Sequence, residues 1–169
     1  MPNEPVIERI ADRAARTLAS VKPANGYWTD VQKVYRTFRM PEQALALPYL
    51  CVITASADGT VGEPIAHYKN RATLEVYVFL SADMAADENA DRDLNRAVAD
   101  VQRAILSDSP LQGGAAGAGA VVIVDELLFV RWRRAPFGDG PSWINGAVVE
   151  FAPEYLHHYT DPRLGRGES

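Results

Sequence analysis

A single cysteine, Cys51, stands in a chain of 169 residues. That excludes an internal disulfide and a metal cage built from cysteines. Histidine is nearly as scarce, with only His67, His157 and His158, and none has the HExxH spacing of a helical zinc site. No apolar run approaches the roughly 18 residues that a membrane-spanning helix needs. An excess of positive charge is also missing. Seventeen Lys and Arg stand against 22 Asp and Glu, a net charge of −5, whereas a protein that grips phosphates normally carries a basic face. The Met-Pro-Asn-Glu-Pro start lacks the basic-then-apolar profile of a signal peptide. The chain is therefore expected to be made and used from the cytoplasm.

What is present suits one folded domain over residues 1–169, long enough to bury about 70% of its unfolded surface. The organising stretch is Leu74–Leu106. Leu74, Val76, Val78 and Leu80 alternate with Glu75, Tyr77 and Phe79, the period of a strand. Leu94, Val98, Val101 and Ile105 then recur at spacings of four, three and four, widened by Ala97 and Ala104, which is one face of a long helix. Asp83, Asp87, Glu88, Asp91 and Asp93 crowd its start, where the helix dipole favours negative charge. A second helical face is marked by Ile7, Ile10, Ala14, Leu18 and Val21, stopped at Pro23 and Gly26.

Strands are expected over Val31–Arg39, Leu50–Ala57 (apolar enough to be buried on both faces), Val61–Tyr68 and Ala120–Arg133. The last is expected over Trp143–Phe151. Asp58-Gly59 reads as a hairpin turn, Lys69–Arg71 as another turn, and Asp125-Glu126 as a bulge or break. Pro64 makes the Val61–Tyr68 strand short or places it on an edge. Residues 112–119, rich in Gly and Ala, are expected to form a flexible loop, and residues from Pro153 onward an irregular tail, mobile over about 160–169. The fold class is α+β: a mixed or mainly antiparallel sheet with an N-terminal and a long central helix packed on one face.

The search for chemistry finds no catalytic, cofactor or metal residues. Cys51 sits in the most apolar strand, where a thiol is protonated and inert. His157 and His158 fall in the expected solvated tail, and adjacent strand residues would point to opposite faces. The acids from 83 to 93 lack the calcium-loop pattern and its glycine, and helix-end electrostatics accounts for them. Gly113–Gly119 lacks the Gly-Lys-Ser/Thr ending of a phosphate loop. The chain is not expected to be an enzyme. Two features remain open. Arg131, Trp132, Arg133 and Arg134 sit near a strand end, opposite Trp143 across a turn; Arg and Trp suit an interface, while charges on a strand end also discourage edge pairing. The glycine loop is either mobile or ordered against a partner.

Three stretches give the chain a family resemblance. The first is an N-terminal helix followed by Asn25-Gly-Tyr-Trp-Thr-Asp30 and Val34-Tyr-Arg36. The second is Leu47-Pro-Tyr-Leu before the apolar strand. The third is Gly146-Ala-Val-Val-Glu-Phe, ending in Tyr159-Thr-Asp-Pro162. In these and in the order helix, strands, long helix, strand pair, the chain resembles the tail terminator family of long-tailed phages. The resemblance implies a structural virion protein at the neck, assembled in the host cytoplasm, forming a ring of about six subunits. Such a ring caps the tail tube, stops its polymerisation and joins it to the head-side connector or stopper protein. The implied partners are the chain itself, tail-tube protein and that connector, with DNA passing through unheld and no membrane. The candidate interface residues are Arg131, Trp132, Arg133, Arg134 and Trp143 on one face, and Asp87, Glu88 and Asp91 on the opposite one. Another phage neck protein, a head–tail stopper or completion protein, would use the same elements. A small ligand-binding α+β domain would instead show titratable residues converging on a cleft.

Overall fold

The computed structural model describes residues 4–41, 44, 46–61, 67–80, 89–108, 111, 124–135, 144–158 and 161–163. Two helices, α1 (Val6–Ala19) and α2 (Ala90–Leu106), pack on a mixed sheet of five strands: β1 (Lys33–Tyr35), β2 (Tyr49–Val61), β3 (His67–Phe79), β4 (Glu126–Arg134) and β5 (Gly146–His158). The order across the sheet is β1-β2-β3-β5-β4. β1 runs parallel to β2, and every other neighbouring pair is antiparallel. The α+β class is the one expected.

Both helices lie on the same face. Ile10, Ala14 and Leu18 of α1 and Leu94, Val98, Val101 and Ile105 of α2 share one core with Leu50, Val52, Leu74, Val76, Val78, Val149 and Phe151 of the sheet. The apolar period of 3.6 in each helix meets the apolar period of two in each strand, which is why one face of each element suffices. Opposite this core, a smaller cluster gathers Tyr49, Cys51, Phe79 and Ile144, with the Tyr49 and Phe79 rings stacked 4.4 Å apart. Burial pushes the Cys51 thiol above its usual range, in keeping with an inert packing residue.

Two clamps hold the helices. Asp108, just past α2, accepts hydrogen bonds from Arg13 Nε at 2.9 Å and from the Thr17 hydroxyl, both on α1. Arg36 after β1 reaches back to Glu8 and Asp12 of α1, each at 2.8 Å, and donates to the Val52 carbonyl. No helix among the described residues is long and apolar enough to cross a membrane.

Several strand limits differ from the sequence expectation. β1 keeps only three residues, because its partner edge is Tyr49–Cys51 and the chain then leaves the sheet. Asp58 and Gly59 do not turn; they pair with Arg71 and Asn70 inside a long ladder. Lys69–Arg71, expected as a turn, lies within β3, and Lys69 meets Glu154 at 2.8 Å. Backbone pairing along both neighbours outweighs weak local turn signals there. A bulge falls at Phe129/Arg131, while at Asp125-Glu126, expected as a bulge or a break, β4 begins with Glu126; residues 120–123 of the expected strand lie outside the described residues. β5 continues through Pro153 to His158, so the two histidines belong to a strand and not to a loose tail. His157 Nδ1 lies 2.9 Å from Asn70 Nδ2. Within the expected mobile tail, residues 161–163 are tied down: the Pro162 carbonyl accepts the Val6 amide at 3.0 Å, serving one of the unpaired donors at the start of α1. Arg163 binds Asp161 at 2.6 Å and holds its carboxyl down at about 2. The 112–119 loop, Pro64, Trp143, Asp87 and Glu88 lie outside the described residues.

Candidate interaction surface

β4 is an edge strand, paired only on its β5 side among the described residues. Apart from Leu127 it is exposed along its whole length. It carries four of the nine large apolar side chains exposed among the described residues: Leu128, Phe129, Val130 and Trp132. Register sorts its side chains by face. Phe129 and Trp132 stand opposite Phe151 and Val149 and share the helix-covered side, while Arg131 and Arg133 stand opposite Glu150 and Val148 on the open side.

The arginines are not alone there. Arg131 Nε lies 2.7 Å from one oxygen of Glu150 and Arg133 Nε 3.8 Å from the other. Glu150 is a buried carboxylate in the otherwise apolar first half of β5, and it stands directly opposite Glu75 of β3. Two carboxylates side by side repel, and the guanidinium groups offset that repulsion. Glu75 in turn accepts the Tyr77 hydroxyl at 2.7 Å. Burial first, and then the Glu75 carboxylate, push the Tyr77 phenol from 10.0 up to about 12.

A folded value above the unfolded one gives a stabilisation that is complete below pH 10.0 and is lost as pH rises through about 12. Near-ultraviolet titration is therefore expected to show a late tyrosinate step near pH 12 that Tyr77→Phe removes. A titration curve unchanged by that substitution would refute the assignment.

Arg134 differs from its neighbours. Its guanidinium pairs with Asp91 in the first turn of α2. The arginine cluster and the acidic helix start were expected on opposite faces. The structure instead joins them at this pair, because β4 ends beside the helix that packs over β5. The opposite-face arrangement is thus corrected for Asp91.

A second feature also adjoins the first half of α2. Trp28, Thr29, Asp30, Pro48, Leu80, Asp93, Arg96 and Asn145 line an open cleft of ≈ 300 Å³. Its wall is the 26–30 turn, which α2 holds by two residues. One Asp100 carboxylate oxygen accepts the amides of Trp28 at 2.9 Å and Thr29 at 2.7 Å. Arg103 donates to the Gly26 carbonyl at 2.8 Å and lies 4.8 Å from the centre of the Tyr27 ring. Gly26 has φ 81°, a conformation that favours glycine. The Asn145 side chain donates to the Ala90 carbonyl at 2.6 Å, and its backbone carbonyl accepts Leu80 N–H at 2.9 Å.

Sequence reasoning missed Asp100, Glu150 and Asn145. The available signal was a lone carboxylate on an apolar helix face (Asp100) and within an apolar strand (Glu150). Among the described residues no group of three or more His, Cys, Asp and Glu is placed to hold a metal ion. Compared with models of known protein families the chain matches none, and no curated protein matches it.

Proposed function

We propose that this chain is a phage tail terminator, a subunit of a ring that caps the tail tube, halts its polymerisation and offers a new surface to the head-side connector. The reading rests on the resemblance carried by three separated stretches, and one observation supports it beyond the sequence. Those stretches adjoin in the fold. Trp28, Thr29 and Asp30 of the first, Pro48 of the second and Asn145, which precedes Gly146 of the third, line the same cleft. The end of the third stretch, Pro162, bonds the start of the N-terminal helix. Residues scattered over more than a hundred positions thus serve one structural unit.

Electrostatics agrees with a pore that DNA crosses without being held. Affinity for phosphates grows with the number of free cationic contacts. Here Arg131 and Arg133 face Glu150 and Arg134 faces Asp91, in a chain of net charge −5.

Light scattering across protein concentration, with and without tail tubes, tests the proposal. A closed ring of about six subunits, free or on the tube end, is the expected result. A monomer that neither self-associates nor binds tubes would overturn it. The double substitution Arg131→Gln/Arg133→Gln is expected to weaken ring formation or docking. Because these arginines also offset the repulsion between Glu150 and Glu75, urea unfolding of the double variant is measured alongside, and a loss of assembly is assigned to the interface only where the fold is kept. Unchanged assembly in the double variant removes these arginines from the interface.

A further inference from the structure

A sheet has two edges, and among the described residues both are unpaired over comparable lengths. β4 is open on its outer side from Glu126 to Arg134. On the other side, β1 covers β2 only at Tyr49–Cys51, and Arg36 occupies the Val52 carbonyl. From Ile53 to Thr60 the outer edge of β2 meets no other strand among the described residues. The two edges have opposite character. β4 presents bulky apolar and cationic side chains, whereas β2 presents Thr54, Ala55, Ser56, Ala57, Asp58 and Gly59, small or acidic. A long, apolar, exposed edge strand is a template for pairing with another chain unless something covers it.

We propose that copies of this chain join edge to edge, β4 of one subunit adding antiparallel to the outer edge of β2 in the next. This deepens, and rests on, the ring reading above. The antiparallel sense follows from topology. β2 and β4 run in opposite directions within one sheet, so they stay opposed when a second, similarly oriented sheet is set alongside.

The faces also agree. Phe129 and Trp132 lie on the helix-covered face with Phe151 and Val149, and Ala57 lies on it opposite Ala72, with Gly59 two residues further on. Arg131 and Arg133 lie on the open face, as do Ser56 and Asp58, which flank Ala57. Setting Trp132 opposite Ala57 then places Arg131 opposite Asp58 and Arg133 opposite Ser56. With Val130 taken up in the bulge, Phe129 falls opposite Gly59. Each bulky ring meets a residue with little or no side chain, and a cation meets an anion. Gly59 is held small from within, since a Cβ there would come 2.8 Å from Asn70 Oδ1, which leaves its outer side open to a ring from the neighbour.

This register slides the two sheets along the strands. Across one sheet Trp132 stands level with Val52, through Val149 and Val76. Meeting Ala57, which the bulge at Thr54/Ser56 sets four rungs further along β3, needs a shift of roughly 13 Å. The slide is imposed by β1, which blocks the level position, and a stagger of this kind is what closing a sheet on itself requires.

Two cysteine variants test the arrangement, with native Cys51 buried and out of reach. Trp132→Cys and Ala57→Cys proteins, mixed and mildly oxidised, are expected to form a disulfide-linked pair, while neither variant links to itself. The double variant in one chain is expected to give a ladder of covalent oligomers. Trp132→Lys, at an exposed position, is expected to keep the fold and lose the ring by light scattering. Self-linking of Trp132→Cys would mean that β4 pairs with β4, which overturns the proposal. Rings that form without the mixed disulfide and survive Trp132→Lys would also overturn it while leaving the ring reading intact. A wild-type chain that stays monomeric with and without tail tubes removes both.

Discussion

Asp100→Ala is expected to lower the unfolding free energy by about 3 kcal/mol, the cost of removing a buried charged acceptor and leaving its donors unpaired. Asp100 is fully buried on the flank of α2 that meets the 26–30 turn. One of its oxygens takes both the Trp28 and Thr29 amides, and the other has no hydrogen-bond partner among the described residues. The residue therefore spends the desolvation of a carboxylate on fixing one turn. Asp100→Asn keeps a carbonyl acceptor and removes the buried charge, so its expected cost is smaller, about 1 kcal/mol. Urea unfolding at unchanged m measures both. Amide exchange at Trp28 and Thr29 should accelerate in the alanine variant well before global unfolding. An alanine variant with the wild-type midpoint would mean that Arg103 on Gly26 and the Gln32 amide on the Pro48 carbonyl already hold the turn.

The second large effect is a contrast between two phenylalanines whose ring centres lie 6.1 Å apart. Phe151 is fully buried in β5 beneath the helices, and Phe129 is 39% exposed on the edge strand. Phe151→Ala opens a cavity that the helices and sheet cannot collapse, and a loss of about 4 kcal/mol is expected. Phe129→Ala gives up a side chain that is only partly covered at the sheet edge and leaves no enclosed cavity, so a smaller loss of about 1–2 kcal/mol is expected. A domain of this size commonly holds 5–15 kcal/mol in all, so the first variant is marginal and the second remains well folded. Equal losses would show that Phe129 is part of the core and not of an interaction surface. If Phe129→Ala instead keeps its stability and fails to assemble, the ring on β4 serves a partner.

Local patterning was enough for the helices. Both are written in residues three and four apart, and that spacing survives in any globular context because a helix satisfies its own backbone. Alternation at Leu74–Phe79 likewise announced a strand with one face inward. The strand ends were not legible in the same way. Asp58-Gly59 and Lys69–Arg71 carry turn chemistry, yet they sit in a ladder because the partner strands continue past them. The same holds for Pro153, which β5 accommodates opposite Leu127.

The candidate surface divides along the same line. Arg131–Arg134 and Trp132 could be named from sequence, since four such residues at a strand end are conspicuous. Their partners could not, because Glu150 and Asp91 reach them only through sheet order and helix packing.

Legible along the chain were the α+β class, the two helices and their apolar faces, the buried setting of Cys51 and the arginine-rich strand. Each of these depends on neighbours within a few residues along the chain. Packing of the whole sheet set β1 parallel at one edge and left β4 unpaired on its outer side among the described residues. It also brought Asp100 under the 26–30 turn and let Glu150 hold two arginines on the open face. Those outcomes depend on which strand lies beside which, and long-range pairing is settled by the whole core, with no local trace in the chain.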